Sequence, residues 1–342
     1  MKAAAFLFLL TASVHAKDRA PYLVEASSVA ARACWRQGGK DDCATFTGLA
    51  PGAAFSYSIP GSSSTFSART LPADSAPLRF AVLGDSGMAT AAQKRVAGVL
   101  ERQSPDFILH VGDVVYPTGR DEDYDAKYFR IYKRLLAGTA VFPCPGNHDY
   151  GNAHKSAAIG EKRLAQGYAR VFRRPKYYSF DAGPAHFISL DTNRADDIAA
   201  AADIGLDSEQ RRWLEKDLTA SKARWKFVFM HVPLYSTYYR HGDNALLRAS
   251  LQGLFEKYRV DAVFAGHDHL YQRSKRINKV VYLTVGTGGA NIMGGPLADH
   301  PWLERELVSH GAALARVDGR RLTLEFRDED GLVQDSLSID KP

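Results

Sequence analysis

Short apolar segments that end on polar residues are the feature of this sequence that most limits its possible folds. They read RFAVLG, FILHVG, TAVFP, HFISL, KFVFM and DAVFAG, and they alternate with stretches of helical periodicity such as NALLRASLQGLFEKYR. Short apolar runs are typical of buried strands, and their alternation with helices favours an α/β sheet. We therefore predict an α/β fold for the chain beyond residue 77.

Five of these segments lead directly into residues that could act as ligands or acids. In an open α/β sheet the site lies beyond the carboxyl ends of the strands, so residues emitted there converge. Each signal alone is weak, since Gly-Asp after a strand is more often a turn. Together they predict one site. Its residues are Asp85; Asp113 and Tyr116; Asn147, His148 and Asp149; His231; and His267 and His269.

The chemistry of this set suits two adjacent metal ions. Carboxylate and amide oxygens with imidazole nitrogens fit Zn, Fe and Mn, and the set contains no thiolate. A carboxylate can bridge two ions about 3.5 to 4 Å apart, the arrangement used for displacement at phosphorus. Asp113 is the residue that we expect to form this bridge.

The order GDSG, GDVVY, GNHD, a strand-end histidine and GHDH resembles the purple acid phosphatase branch of the metallophosphoesterases. The resemblance covers essentially the whole chain after its first sixteen residues. It implies a four-layer α/β/β/α sandwich, preceded by a small all-β module like a fibronectin type III domain but shorter. The segments PYLVEAS and TGLAPGAAFSYSI carry the resemblance to that module.

The resemblance also implies a ligand set. One metal would be held by Asp85, Asp113, Tyr116 and His269, and the other by Asp113, Asn147, His231 and His267. Other metallophosphoesterases commonly carry a histidine two residues after the first aspartate, where this chain has Gly87. The Tyr116 phenolate would take that corner and favour Fe(III), with a divalent ion, Zn, Fe or Mn, in the second position.

The activity implied is a secreted acid phosphatase of broad specificity that hydrolyses phosphomonoesters by attack of metal-bound hydroxide. His148 and His241 match family positions that orient the substrate or protonate the leaving group. Small phosphate esters are the expected substrates. Two alternatives remain: a phosphodiesterase or nucleotide pyrophosphatase using the same site, and a non-catalytic surface-binding protein with a degenerate phosphatase domain.

The first sixteen residues have the pattern of a signal peptide, in which Lys2 precedes a short apolar run. We expect cleavage after Ala16 and a secreted or periplasmic protein. No later stretch is long and apolar enough to predict a membrane span. In that oxidising compartment a two-residue turn at Gly38 and Gly39 would pair Cys34 with Cys43 in a disulfide. Cys144 is expected to be a small buried residue.

The predicted organisation is a signal peptide over 1–16, a β module over 17–72, and a dinuclear metallophosphoesterase domain over 77–342. The net charge of +6 is spread along the chain, so no nucleic-acid partner is expected. Oligomeric state cannot be inferred. Two closing segments turn on Asp-Gly and predict antiparallel hairpins. The segment DSEQRRWLEKDL predicts a helix that opens with a capping box of Asp207 and Gln210.

Overall fold

The computed structural model describes residues 18–151, 166–198, 200–238, 240–293 and 300–342. The predicted signal peptide lies outside these residues. The chain begins with two small antiparallel sheets, one of three strands and one of two. Their strands are β1 (Arg19–Ala26), β2 (Ala30–Gln37), β3 (Lys40–Thr47), β4 (Ala54–Ser58) and β5 (Thr65–Arg69).

Two larger sheets follow. The first has six strands in the order β18-β17-β16-β6-β7-β8, and the second has seven in the order β15-β13-β14-β12-β11-β10-β9. Strands β6, β7 and β8 run parallel to one another, as do β10, β11, β12 and β14. The strands are β6 (Leu78–Leu83), β7 (Phe107–His110), β8 (Ala140–Pro143), β9 (Tyr178–Ala182), β10 (Ala185–Ser189), β11 (Trp225–Phe229), β12 (Ala262–Ala265), β13 (Tyr271–Ser274), β14 (Val281–Val285), β15 (Leu303–Leu307), β16 (Gly311–Asp318), β17 (Arg321–Asp328) and β18 (Val333–Asp340).

The two sheets pack face to face through aromatic side chains. Phe80 and Phe107 of the six-stranded sheet both contact Phe187 of the seven-stranded sheet, with ring centroids 5.1 Å apart in each pair. All three side chains are at most 1% exposed. Burying one phenylalanine contributes about 1.5–3 kcal/mol, so this layer holds the two sheets together.

Helices cover the outer faces of both sheets, which confirms the predicted four layers. Val96 and Leu100 of α1 pack against the six-stranded sheet, while Leu214 of α5 and Leu251 pack against the seven-stranded one. The α-helices are α1 (Ala91–Gln103), α2 (Asp121–Tyr124), α3 (Lys133–Gly138), α4 (Gln166–Phe172), α5 (Glu209–Ala220), α6 (Ala245–Leu247) and α7 (Gly253–Lys257). A π-helical turn at Asp125–Phe129 follows α2, and a second one at Arg248–Gln252 joins α6 to α7.

The predicted capping box of α5 is wrong by one residue. The N-cap is Ser208, whose hydroxyl oxygen accepts from the Arg211 backbone N–H at 3.1 Å. Gln210 instead turns inward, where its side chain exchanges hydrogen bonds with both backbone groups of Asp191 at 2.8 and 2.9 Å. Ser208 and Asp207 are both good N-caps, so the tertiary contact of Gln210 decides which one begins the helix.

The first hairpin confirms the predicted disulfide. Gly38 and Gly39 take φ of +55° and +77° at the turn, and Cys34 pairs directly with Cys43 across β2 and β3. Cys144 is free and fully buried, as expected. The two closing hairpins also form, β16 with β17 and β17 with β18. No helix in the described ranges is both long enough and apolar enough to cross a membrane.

Candidate metal centre

The residues singled out from the sequence meet where the parallel strands of both sheets end. Asp85 follows β6 and Asp113 follows β7, while His231 and His267 follow β11 and β12. Asp85, Asp113 and His267 have φ of +56°, +52° and +70°. Positive φ is uncommon for residues other than glycine, and such strain clusters at functional sites. The same sharp turn therefore aims three of these side chains into one cleft.

Glycine at position 87 is required by close backbone packing. A Cβ there would lie 2.0 Å from the Val114 carbonyl oxygen and 2.7 Å from Val115 Cα. Gly87 pairs with Val115, and its carbonyl accepts from the Tyr116 N–H at 3.0 Å. No larger side chain fits at this corner, so the backbone that excludes a histidine also sets the position of Tyr116.

Asp85, Tyr116 and His269 form one group of contacts. The Tyr116 hydroxyl donates to Asp85 Oδ1 at 3.0 Å and lies 2.9 Å from His269 Nε2. Asp85 Oδ1 is 3.4 Å from that same nitrogen. The other ring nitrogen of His269 lies 2.7 Å from the Asn291 carbonyl oxygen, so Nδ1 carries the proton and Nε2 points into the group.

Asp113, Asn147, His231 and His267 form the second group. Asn147 Oδ1 lies 2.9 Å from His231 Nε2 and 3.2 Å from His267 Nδ1. His231 Nε2 is 3.5 Å from Asp113 Oδ1. His231 Nδ1 donates to the Val111 carbonyl at 2.8 Å, which again turns Nε2 toward the centre.

The pKa values in the centre are shifted because its ionisable groups are buried and lie close to one another. Burial would raise the pKa of Asp113, but His231 and His148 outweigh it and the pKa lies below its ordinary value. Burial, and then the Asp113 and Asp85 carboxylates, raise the pKa of Tyr116 well above that of a free phenol. Burial lowers the pKa of His267, and His231 adds to this effect. The phenol therefore keeps its proton unless a cation lies beside it.

The donor set fits metal ions. Asp85, Asp113 and His231, all buried, place one ligand atom each within 4.8 Å of one another. Two buried carboxylates so close together are costly without cationic compensation. Oxygen and imidazole ligands of this kind suit Zn, Fe and Mn. The centre can therefore bind metal ions with the residues that are present.

The two histidines predicted to act on the substrate contact different members of this centre, His148 the Tyr116 ring and His241 the His267 ring. The His148 ring packs on Tyr116 with centroids 4.3 Å apart, and its Nδ1 lies 2.5 Å from the Pro117 carbonyl oxygen. The His241 ring stacks on His267 at 4.4 Å. His241 side-chain exposure is 33%, so it is neither a core residue nor a freely solvated one.

Two aspartates to which the sequence assigned no role have contacts at the site: Asp149, which was predicted to lie there, and Asp268, which was not. Asp149 accepts from the backbone N–H groups of Gly146 at 2.9 Å and Val114 at 3.3 Å, and so ties together the loops that carry Asn147 and Asp113. Asp268 is fully buried and contacts His241. Asp149 lies in the GNHD motif and Asp268 in the GHDH motif. Their positions beside predicted ligands were the feature of the sequence that could have indicated a role.

Comparison with known proteins places these residues in a family context. Residues 78–271 match the family model described as calcineurin-like phosphoesterase. Purple acid phosphatase 21 of Arabidopsis thaliana is 30% identical over 257 residues, which are 70% of this chain and 56% of the relative. The Fe(3+)-Zn(2+) purple acid phosphatase 12 of the same plant is 26% identical over 246 residues, 62% of this chain and 50% of the relative.

Among solved structures, the purple acid phosphatase PPD1 from seeds of yellow lupin (Lupinus luteus) superimposes with a TM-score of 0.79. The alignment covers 94% of this chain and 74% of the lupin chain at 20% identity. At that identity the likeness establishes the fold. The chain spans only 56% and 50% of the length of the two curated relatives.

Proposed function

Since the chain belongs to the calcineurin-like phosphoesterase family, we propose that it is a dinuclear-metal phosphatase that hydrolyses phosphomonoesters with broad specificity. The observation that carries the proposal is the meeting of seven potential ligands that follow five strand ends. They are Asp85, Asp113, Tyr116, Asn147, His231, His267 and His269. The catalytic domain would extend over 77–342, with the β module over 17–72 before it.

The proposed ions are Fe(III) at Asp85, Asp113, Tyr116 and His269, and Zn, Fe or Mn at Asp113, Asn147, His231 and His267. The state of Tyr116 supports the trivalent ion. Its pKa is raised well above the ordinary value by burial and by Asp113 and Asp85, so a highly charged cation is needed to displace the phenolic proton. A relative named as an Fe(3+)-Zn(2+) phosphatase agrees with this assignment.

When bound, the two ions would supply charge neutralisation at the phosphoryl oxygens and an acidified water as nucleophile. The chain itself supplies orientation and protons. The backbone N–H of His148 donates to Asp113 Oδ1 at 2.8 Å, which fixes the start of the His148 loop against the centre. His148 and His241 flank the two groups of ligands, where a protonated ring can bind a phosphoryl oxygen or protonate the leaving oxygen. This requirement favours acidic pH.

Export is part of the proposal. It is supported by the Cys34–Cys43 disulfide, since disulfides persist in oxidising compartments. The signal-peptide pattern of residues 1–16 is consistent with that location. The expected substrates are small phosphate esters, and a phosphomonoester should be hydrolysed faster than a bis-ester by the purified protein. The reverse preference would favour a phosphodiesterase, and a folded protein that binds no metal would favour a non-catalytic role.

The first prediction concerns the colour of the iron-loaded protein. Fe(III) bound to a phenolate gives a violet charge-transfer band, so Tyr116→Phe should abolish that band. The matched control is Tyr124→Phe, because Tyr124 is also buried and its hydroxyl has no hydrogen-bond partner in the described residues. If the wild type and Tyr124→Phe are violet and Tyr116→Phe is colourless, the result would support Tyr116 as an Fe(III) ligand. A violet band that survives in Tyr116→Phe would remove Tyr116 from the ligand set.

A further inference from the structure

Asp268, the third residue of GHDH, lies in the chain between two proposed metal ligands, His267 and His269, and is fully buried. Its carboxylate oxygens contact other residues. Asp268 Oδ1 lies 2.5 Å from His241 Nδ1. The other oxygen, Oδ2, accepts a hydrogen bond from the Ser236 hydroxyl. Both carboxylate oxygens therefore face the loop that carries His241.

This contact fixes which His241 nitrogen bears a proton. A carboxylate oxygen at hydrogen-bond distance accepts, so Nδ1 must donate, whether the ring is neutral or protonated. The ring is held flat against His267, with an angle of 21° between their planes. Its Nε2 has no hydrogen-bond partner within the ranges that the structure describes. Nε2 is thus the atom left for a ligand.

Asp268 also anchors the backbone around His241. Ser236 donates to Asp268 and accepts from the Tyr238 N–H at 3.0 Å. The Ser236 N–H donates to Asp243 Oδ1 at 3.1 Å, and the His241 N–H donates to the Tyr238 carbonyl at 3.0 Å. A partly exposed loop is thereby attached to a buried carboxylate at the site, and free rotation of the His241 ring is prevented.

We propose that Asp268 is a positioning residue that holds His241 in the Nδ1–H form with Nε2 directed at the substrate. The inference rests on the proposed phosphatase function and assigns to a buried aspartate the orientation of the group that protonates the leaving oxygen. Ser236 completes the arrangement as the second donor to Asp268. Fixed orientation matters because a misplaced catalytic group loses much of its contribution to the rate.

A competing role is metal binding, since His241, His267 and Asp268 bring one potential ligand atom each within 4.8 Å. The two hydrogen bonds to Asp268 argue against it, because each oxygen already accepts from a donor. The two roles differ in a measurable way. A ligand contributes to metal content, whereas a positioning residue contributes only through His241.

The test is a double-mutant cycle with Asp268→Ala and His241→Ala in the metal-loaded protein, assayed on an alkyl phosphomonoester. Asp268→Ala should lower kcat by about 10- to 100-fold, the usual effect of losing a partner that orients a functional histidine. In the His241→Ala background the same change should have no further effect. A full additional loss in that background would overturn the proposal, as would loss of bound metal from Asp268→Ala.

A second readout separates positioning from general damage to the fold. Proton donation matters most for a poor leaving group, so the loss in Asp268→Ala should shrink to about 3-fold or less on an activated aryl phosphate. Ser236→Ala removes the second hydrogen bond to Asp268 and the acceptor of the Tyr238 N–H but leaves the contact of Asp268 with His241, so it should show a smaller loss with the same dependence on leaving group. Equal losses on both esters would contradict the proposal.

A third measurement is independent of catalysis. In zinc-loaded protein with ¹⁵N-labelled histidine, NMR should show a proton on Nδ1 of His241 that is lost in Asp268→Ala. An unchanged His241 spectrum in the variant would refute the contact itself. If the wild type hydrolyses no phosphate ester while this signal behaves as expected, the phosphatase function fails and the orientation of His241 by Asp268 still holds.

Discussion

A single glycine links the backbone packing of this site to its proposed chemistry. At Gly87 the backbone lies so close to Val114 and Val115 that no side chain can be accommodated. The residue after Val115 is Tyr116, whose hydroxyl donates a hydrogen bond to Asp85. The exclusion of a side chain at position 87 and the placement of residue 116 therefore have one structural cause, the close approach of the two backbone segments. Gly87 and Tyr116 could both be identified in the sequence, but the backbone packing that links them could not.

Gly87→Ala should destabilise the protein by about 1–3 kcal/mol, the usual cost of forcing extra volume into a packed site. The control is Gly98→Ala in α1, where the nearest atom to a new Cβ is the flexible end of Arg102 at 3.5 Å. That change should stabilise the helix by up to about 1 kcal/mol. Urea unfolding of both variants measures the difference, and equal stability would refute the packing argument.

His148→Ala should reduce phosphatase turnover by about 10²- to 10⁴-fold, the range expected for loss of a general acid. Both metals should remain, because the hydrogen bond from His148 to Asp113 Oδ1 is donated by the backbone N–H, which alanine retains, whereas the ring Nε2 lies 3.8 Å from Asp113 Oδ2. Activity assays combined with metal analysis test this. Wild-type turnover in the variant would remove His148 from the mechanism, and loss of metal would give it a structural role instead.

At the scale of secondary-structure elements, a histidine joins β9, β10 and α5. His186 Nδ1 lies 2.7 Å from Asp181 Oδ1, and its Nε2 lies 2.7 Å from Asp217 Oδ2. Two carboxylates can both accept only if both ring nitrogens carry protons, so the ring is an imidazolium. Burial would lower the pKa of His186, but Asp181 and Asp217 outweigh it and raise the pKa to about 9.

Because the pKa of His186 is higher in the folded state than its ordinary value of 6.5, the stability that it contributes is complete below about pH 6.5 and is lost as the pH rises through 9. His186→Gln should therefore cost about 1–2 kcal/mol at pH 6, allowing for the solvent exposure of Asp181. The cost should be much smaller at pH 9.5.

Denaturant unfolding at the two pH values measures this effect. His300→Gln is the matched control, since His300 packs on Trp302 and has no carboxylate partner among the residues described. Its effect on stability should be small at both pH values. A cost for His186→Gln that is the same at pH 6 and pH 9.5 would mean that the ring is not held as a cation.

At the scale of the whole molecule, the small β sheets and the large domain share one hydrophobic core. Leu23, Ala33 and Tyr57 belong to the same buried cluster as the aromatic residues between the large sheets. The Tyr57 hydroxyl donates to the Ala137 carbonyl at 2.7 Å, and the Arg19 guanidinium lies 4.1 Å above the Phe129 ring. The predicted boundary between the β module and the catalytic domain, at residues 72 to 77, stays a prediction.

This shared core predicts one cooperative unfolding transition for the metal-free protein. Calorimetric and van't Hoff enthalpies should agree, and Arg19→Ala should lower the temperature of the whole transition without dividing it. Calorimetry of the wild type and the variant provides the measurement. Two separate transitions would show that the β module folds independently of the catalytic part.

The sequence by itself determined six buried strands, the closing hairpins and the disulfide, because these depend on local periodicity and turn residues, and the order of its motifs implied the four-layer fold through a family resemblance. It also placed the seven candidate ligands at strand ends, since parallel strands bring their carboxyl ends to one edge. Only the tertiary structure decided which nitrogen of each histidine faces the centre, why position 87 must be glycine, and what Asp149, His186 and Asp268 contact. Those outcomes depend on groups far apart in the chain, such as Ser236 and Asp268, whose approach no local pattern encodes.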